Sequence, residues 1–384
     1  MRTTCLLLGL ATTTAAASSF RQPLSDAHDA GKTTTAYMGA AVNEGNFNDA
    51  TYLEVASGYY NLVTSENSCK FGAIQGERGE FDFDSCDQVR DDAKSENGEE
   101  GYEAGPATHV APFLTRQIQN PPLSQVLDFA SQHDMAFRGH NLCWGVYNPS
   151  WLENGNFTSD ELKDVLETHI ATVLGHYKGR AVAWDVVNEA LNETGTLKHN
   201  VWNNITGDEN YIDIAFRAAR KADPEAKLFY NDYNVASSSG WSKTKSDAMY
   251  SMVSGMLDRG VPVDGVGLQF HVGTGYDMLD GVRSNMARYG AMGVEVHVTE
   301  LDLVCSQSNG YDCSWSDDIE AQQGRLYADL LDLCLEEPAC TNFETWGFTD
   351  KYTWQEDGTH PLPFYEDYRA KKAVDDMLAV LTSL

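Results

Sequence analysis

The chain has 384 residues, 42% of them hydrophobic, which is long for an average domain but ordinary for an α/β barrel, a fold that commonly runs to about 250 residues or more. Its 57 acidic residues against 27 Lys and Arg give a net charge of -30, which argues against nucleic acid or an anionic membrane as partner, since both need basic patches. No stretch approaches the length of a membrane helix, and no C-x-x-C or H-E-x-x-H spacing points to a metal, so neither metal nor cofactor is expected.

Met1 to about Ala17 reads as a secretory signal: Arg2 supplies the positive start, Cys5 to Ala11 is apolar, and Ala15, Ala16 and Ala17 offer small residues for cleavage. A secreted, extracellular protein is expected, and the acceptor sequons at Asn156, Asn192 and Asn204 agree with it. Residues 18–384 read as one domain. Strand-like runs recur at Ala36 to Val42, Tyr60 to Thr64, Ala136 to Leu142, Val182 to Val187, Lys227 to Asn231, Asp264 to Phe270, Val294 to Thr299 and Asn342 to Phe348. Helical patterns lie between most of them, at Leu123 to Gln132, Ser159 to Tyr177, Tyr211 to Ala222, Lys243 to Leu257, Gly281 to Tyr289, Asp317 to Leu335 and Phe364 to Leu381. The clearest is Ser159 to Tyr177, where Leu162, Val165, Leu166, Ile170, Val173 and Leu174 recur at helical spacing behind a Ser159 cap followed by Asp160 and Glu161. Eight alternations of strand and helix predict parallel strands with crossover helices, closed into an α/β barrel of the (β/α)8 TIM type.

Two of these strands end on a carboxylate. AVAWDVVNEAL, Ala181 to Leu191, is an apolar run that stops at Asn188 and Glu189, although the same pair could open a helix with Asn188 as cap. VEVHVTELD, Val294 to Asp302, alternates apolar and polar residues and ends on Glu300, with Asp302 two residues on. Two carboxylates at the C-terminal ends of barrel strands form the pair that glycoside hydrolysis needs: one protonates the leaving oxygen, the other attacks the anomeric carbon or activates water.

Seven ordered stretches carry a resemblance: ENSCK (Glu66 to Lys70), RGHNLCW (Arg138 to Trp144), WDVVNE (Trp184 to Glu189), NDYN (Asn231 to Asn234), GLQFH (Gly267 to His271), TELD (Thr299 to Asp302) and WGFTD (Trp346 to Asp350). From about Leu24 to the C-terminus, with one interruption, the sequence resembles glycoside hydrolase family 10, the endo-β-1,4-xylanases. The resemblance implies Glu189 as acid/base and Glu300 as nucleophile of a retaining hydrolysis, with the two carboxyl groups about 5 to 5.5 Å apart. The chemistry asks that Glu189 be protonated in the free enzyme near neutral pH, helped by the like charge on Glu300. It further implies that Asn188 binds the sugar 2-hydroxyl, that His271 touches Glu300 with Asp302 fixing its tautomer and charge, and that Glu66, Asn67 and Lys70 bind the non-reducing side. His140 and Gln269 would hold the sugar at the scission point, Trp144, Trp346 and Trp354 would wall that subsite, and Tyr233 would flank the leaving side. The implied partners are β-1,4-xylan and its oligosaccharides, with the protein a monomer.

Three features stand apart from the family pattern or remain open. An acidic, glycine-bearing stretch from Gln88 to about Pro121 interrupts the match and reads as a surface insertion. After Trp144 many members read His-Ser-Gln, whereas this chain has Gly145, Val146 and Tyr147, so one floor of the cleft is expected to be rebuilt. Of eight cysteines, Cys5 lies in the signal, leaving an odd seven. Cys334 and Cys340 match a bridge that fungal members often carry, Cys305 with Cys313 would close a small loop, and Cys69 with Cys86 is a further pair, which leaves Cys143 as a buried thiol. A sister barrel glycosidase acting on β-glucan or mannan, or a non-catalytic wall-binding protein, are the competing readings. No G-x-S-x-G elbow supports a serine hydrolase.

Overall fold

The computed structural model of the protein describes residues 19–87, 126–305 and 314–384. The expected signal segment, the insertion at 88–121, the first residues of the helix expected from Leu123, and Cys313 lie outside the described residues.

Nine strands occur among them: β1 (Tyr37–Val42), β2 (Leu62–Ser65), β3 (Ala136–Trp144), β4 (Ala183–Asn188), β5 (Lys227–Asp232), β6 (Gly265–Leu268), β7 (His271–Gly273), β8 (Glu295–Val304) and β9 (Cys340–Thr345). Eight of them pair in parallel in the order β6, β5, β4, β3, β2, β1, β9, β8, and β6 pairs back onto β8, so the sheet closes into a barrel. β4 is buried along its whole length and β8 at all but its two end residues, as strands covered on both faces must be.

Outside the barrel, Trp184 of β4 packs on Tyr177 of the helix Ser159–Tyr177, with ring centroids 5.5 Å apart. A Cβ on Gly139 of β3 would come within 2.2 Å of that indole, so the close approach of β3 needs the glycine. The disulfides Cys69–Cys86 and Cys334–Cys340 are formed, with Cα atoms 4.8 and 5.2 Å apart. Cys305 is disulfide-bonded and Cys143 is a buried free thiol. Of the sequon residues, Asn156 and Asn204 are exposed, while Asn192 is half-buried and its amide donates to Thr196 Oγ1 at 2.6 Å.

The structure departs from the sequence reading at several elements. The strand expected to end on Glu300 runs on to Val304, because its last residues pair with His271–Gly273. The run expected through Phe270 stops at Leu268; Phe270 takes a left-handed φ of 61°, and His271 opens β7, which pairs with the extended end of β8. The cap of the helix Ser159–Tyr177 is Thr158: its hydroxyl accepts from the Glu161 N–H at 3.3 Å, and the Glu161 carboxylate accepts from the Thr158 N–H at 2.9 Å. The last helix runs Lys372–Ser383 and does not begin at Phe364. Phe364 instead bridges Thr349 and Ala370, and the chain doubles back so that the buried Lys371 ammonium reaches Asp350 at 2.6 Å.

Charge also enters the barrel interior. Arg138 and Asp185, both fully buried, pair through hydrogen bonds of 2.7 and 2.5 Å. Glu344 of β9 is fully buried, and burial pushes its carboxyl up to about 7 against the opposing pull of Arg138 and of hydrogen bonds from Thr64 and Asn342. Between the ordinary carboxyl value of 4.5 and about 7 the folded chain therefore holds a proton that the unfolded chain releases. This group's contribution to stability is full below that window and is lost as pH rises through it. Glu344→Gln is expected to flatten the fall of Tm with rising pH across the window, as followed by calorimetry. An unchanged slope contradicts the assignment.

Candidate active site

β4 and β8 deliver the two expected carboxylates to one cavity of about 330 Å³ at the C-terminal ends of the strands. Glu189 follows the last residue of β4 in a left-handed conformation, φ 55°, with its N–H donating to the Asn231 carbonyl at 2.8 Å. Such a backbone in a non-glycine residue is uncommon and collects at functional sites. The Glu189 carboxyl accepts from Gln269 Nε2 at 3.1 Å and from the Trp144 indole N–H at 3.2 Å, and Lys198 Nζ stands 3.5 Å away. Glu300 is 5% exposed and accepts from Asn231 Nδ2 at 2.6 Å, while its second oxygen lies 3.2 Å from His271 Nε2.

Asn188 lies between them. Its Oδ1 accepts from Asn231 Nδ2 at 2.9 Å and from Gln269 Nε2 at 3.4 Å, so a continuous line of amides runs from Glu300 to Glu189. The Thr299 hydroxyl donates to Asn231 Oδ1 at 2.8 Å and turns the amide nitrogen toward Glu300.

Burial would raise the Glu300 carboxyl, but the His271 hydrogen bond, the nearby His140 and the Asn231 amide hold it below the usual carboxylate range. Burial would likewise lower His271, but the Asp302 carboxylate, 2.8 Å from Nδ1, and Glu300 raise it well above the ordinary imidazole range. An Asp302–His271–Glu300 chain is the result, with the imidazole between two carboxyl groups. Asp302 also accepts from Trp354 Nε1 at 2.9 Å and from Gln355 Nε2 at 3.1 Å, which fixes that wall of the cavity.

A family model described as glycosyl hydrolase family 10 matches residues 27–100 and 117–380. The chain belongs to that family. Within family 10 it is 31% identical over 305 residues to endo-1,4-beta-xylanase B of Thermotoga neapolitana, covering 79% of this chain and 74% of that protein. It is 31% identical to endo-1,4-beta-xylanase B of Neocallimastix patriciarum over 90% of its own length but spans only 34% of that longer protein. Among solved structures, xylanase 10B from Thermotoga petrophila RKU-1 in complex with xylobiose superposes with a TM-score of 0.77 at 31% identity, covering 95% of this chain and 97% of that one. The family-10 fold expected from the sequence is thus present, and the part of the insertion that the family model skips is residues 101–116.

Of the residues expected for a family-10 site, Glu66, Asn67, Lys70, His140, Trp144, Asn188, Glu189, His271, Glu300, Trp346 and Trp354 line the cavity. Gln269 and Asp302 are buried behind it, reaching Glu189 and His271. Tyr233 does not line this cavity; its ring carries Lys245 Nζ at 3.4 Å and Lys198 Nζ at 4.7 Å. His140 is held by Asp185 at Nδ1, 2.9 Å, with Trp346 edge-on at 5.1 Å. Lys70 donates to Asn67 Oδ1 at 2.8 Å, and Glu66 accepts from Asn43 Nδ2 at 3.1 Å.

Sequence reading missed four residues. Asn231 and Gln355 were within reach of it, one inside the NDYN stretch and one beside Trp354. Lys198 sits in a loop without periodicity, and Tyr147, which lines the cavity, lies where the sequence leaves the family pattern. Asp302→Asn is expected to bring the His271 pKa down toward the ordinary imidazole value, read by NMR titration of the ring nitrogens. An unmoved His271 titration contradicts Asp302 as the source of its charge.

Proposed function

We propose that the protein is an endo-β-1,4-xylanase that cleaves internal xylosidic bonds with retention of configuration, with Glu300 as nucleophile and Glu189 as acid/base. The observation that carries this reading is the pair of carboxyls brought to one cavity from two barrel strands, one buried and one partly exposed. Glu300 is buried against donors that favour its anion, as a nucleophile requires, while Glu189 is the partly exposed member facing the same space. In the first step Glu300 attacks the anomeric carbon as Glu189 gives its proton to the departing oxygen. Glu189 then takes a proton from water, which displaces Glu300 from the glycosyl-enzyme and restores both groups. This double displacement needs carboxyl groups about 5 to 5.5 Å apart.

Xylan as substrate is supported by the activities named for the relatives and by the xylobiose bound to the Thermotoga petrophila enzyme. Clustered donors and acceptors beside Trp144, Trp346 and Trp354 suit a hydroxyl-rich ring, because each hydroxyl stripped of water must be paired again. We also read the protein as exported; its disulfides fit an oxidising compartment.

Glu189→Ala and Glu300→Ala are each expected to slow xylan hydrolysis by about 10²-fold to 10⁴-fold or more. Added azide is expected to speed turnover of an activated aryl xyloside by both variants with different products: in Glu189→Ala it displaces Glu300 from the glycosyl-enzyme and gives the β-xylosyl azide, and in Glu300→Ala it displaces the aryl oxide directly and gives the α-xylosyl azide. Full activity in either variant overturns the assignment. Release of products from xylan is expected to run well ahead of release from glucomannan or cellulose, and the reverse order rejects xylan as the substrate.

A further inference from the structure

Tyr147 is 65% exposed, yet its position is fixed from several sides. Its backbone is left-handed, φ 58°, and its carbonyl accepts from the Gly72 N–H at 3.2 Å. A Cβ on Gly72 would stand 2.4 Å from that carbonyl oxygen, so only glycine lets the two segments meet. The turn before it is tied down as well: the Trp144 carbonyl accepts from the Asn148 amide at 3.1 Å and from the Trp202 indole at 2.8 Å. The Tyr147 ring stacks on Trp144 with centroids 5.3 Å apart and planes 18° from parallel. Lys70 Nζ lies 4.7 Å from the Tyr147 centroid and 4.9 Å from that of Trp144.

A large aromatic that lines a cavity and stays this exposed is poised for a ligand. Tyr147 shares that rim with Glu66, Asn67 and Lys70, the group placed by resemblance on the non-reducing side of the scission point. Pyranose rings of β-1,4-linked xylan present apolar C–H faces to aromatic planes and hydroxyls to the edges, where Asn67 and Glu66 stand.

We propose that Tyr147 is a specificity-determining residue: with Trp144 it forms an aromatic platform for a neutral xylosyl unit on the non-reducing side, beyond the unit being cleaved. This deepens the xylanase reading and rests on it. A stacking face selects for the length of chain on that side.

The test uses the full protein and linear xylo-oligosaccharides of increasing length, together with an aryl xyloside that carries one sugar. Tyr147→Ala is expected to lower kcat/KM by about tenfold on the longer oligosaccharides, mainly through KM, and to lose less as the substrate shortens. Tyr147→Phe keeps the ring and is expected to retain the wild-type dependence on length, whereas Tyr147→Gln is expected to resemble the alanine variant. An equal loss on every substrate, the aryl xyloside included, means that Tyr147 only props Trp144 and overturns the proposal, as does no loss at all. Wild-type protein that turns over none of the series overturns the xylanase reading and this proposal with it. Active wild type with indifferent variants overturns the proposal alone.

Discussion

The amide nitrogen of Asn231 donates at once to Glu300 and to Asn188, and the placement of both carboxyl groups depends on it. Glu189 and Glu300 stand on β4 and β8, which β5 and β6 separate around the barrel wall. Side chains from those intervening strands must therefore span the gap. β5 supplies Asn231, and Gln269, just beyond β6, donates to both Asn188 and Glu189. An apolar filling there would take from the buried Glu300 and the partly exposed Glu189 the amide donors they now have.

Behind this line three buried carboxylates have partners of opposite sign. Asp302 faces His271, Asp185 faces Arg138 and carries His140, and Asp232 takes Lys245 at 2.8 Å beneath Tyr233. Such pairs add little net stability, because desolvation offsets the attraction, but removing one partner strands the other. Their consequence here is positional: imidazoles and indoles at the cavity wall are held in one orientation before a sugar arrives. The left-handed turn at Glu189 belongs to the same preorganisation, since the rest of the site holds that backbone against its own preference.

Much of this was legible in the sequence because its signals are local. β4 announced itself as an apolar run that stops at Asn188 and Glu189, and β8 as valines alternating with polar residues up to Glu300. What escaped depends on contacts distant in sequence. β7 is three residues long and exists only because the end of β8 offers it a partner. Thr158 and Ser159 are both competent caps, and the reach of the Glu161 carboxylate back to Thr158 decided between them. Phe364 was drawn out of the last helix by pairing with Thr349 and Ala370. Lys198 approaches Glu189 from a loop whose path no periodicity encodes, and Tyr233, outside the cavity, carries two lysines on its ring. The rebuilt floor after Trp144 was visible as a departure, but that Tyr147 stacks on Trp144 requires the left-handed turn and the missing Cβ of Gly72.

The roles of the two glutamates are tested most directly by the configuration of the first product. An early-time proton NMR spectrum of the protein with a linear β-1,4-xylo-oligosaccharide shows which anomer forms before mutarotation. Attack by Glu300 followed by water must give the β-anomer first. Appearance of the α-anomer would leave the substrate in place and contradict Glu300 as the nucleophile.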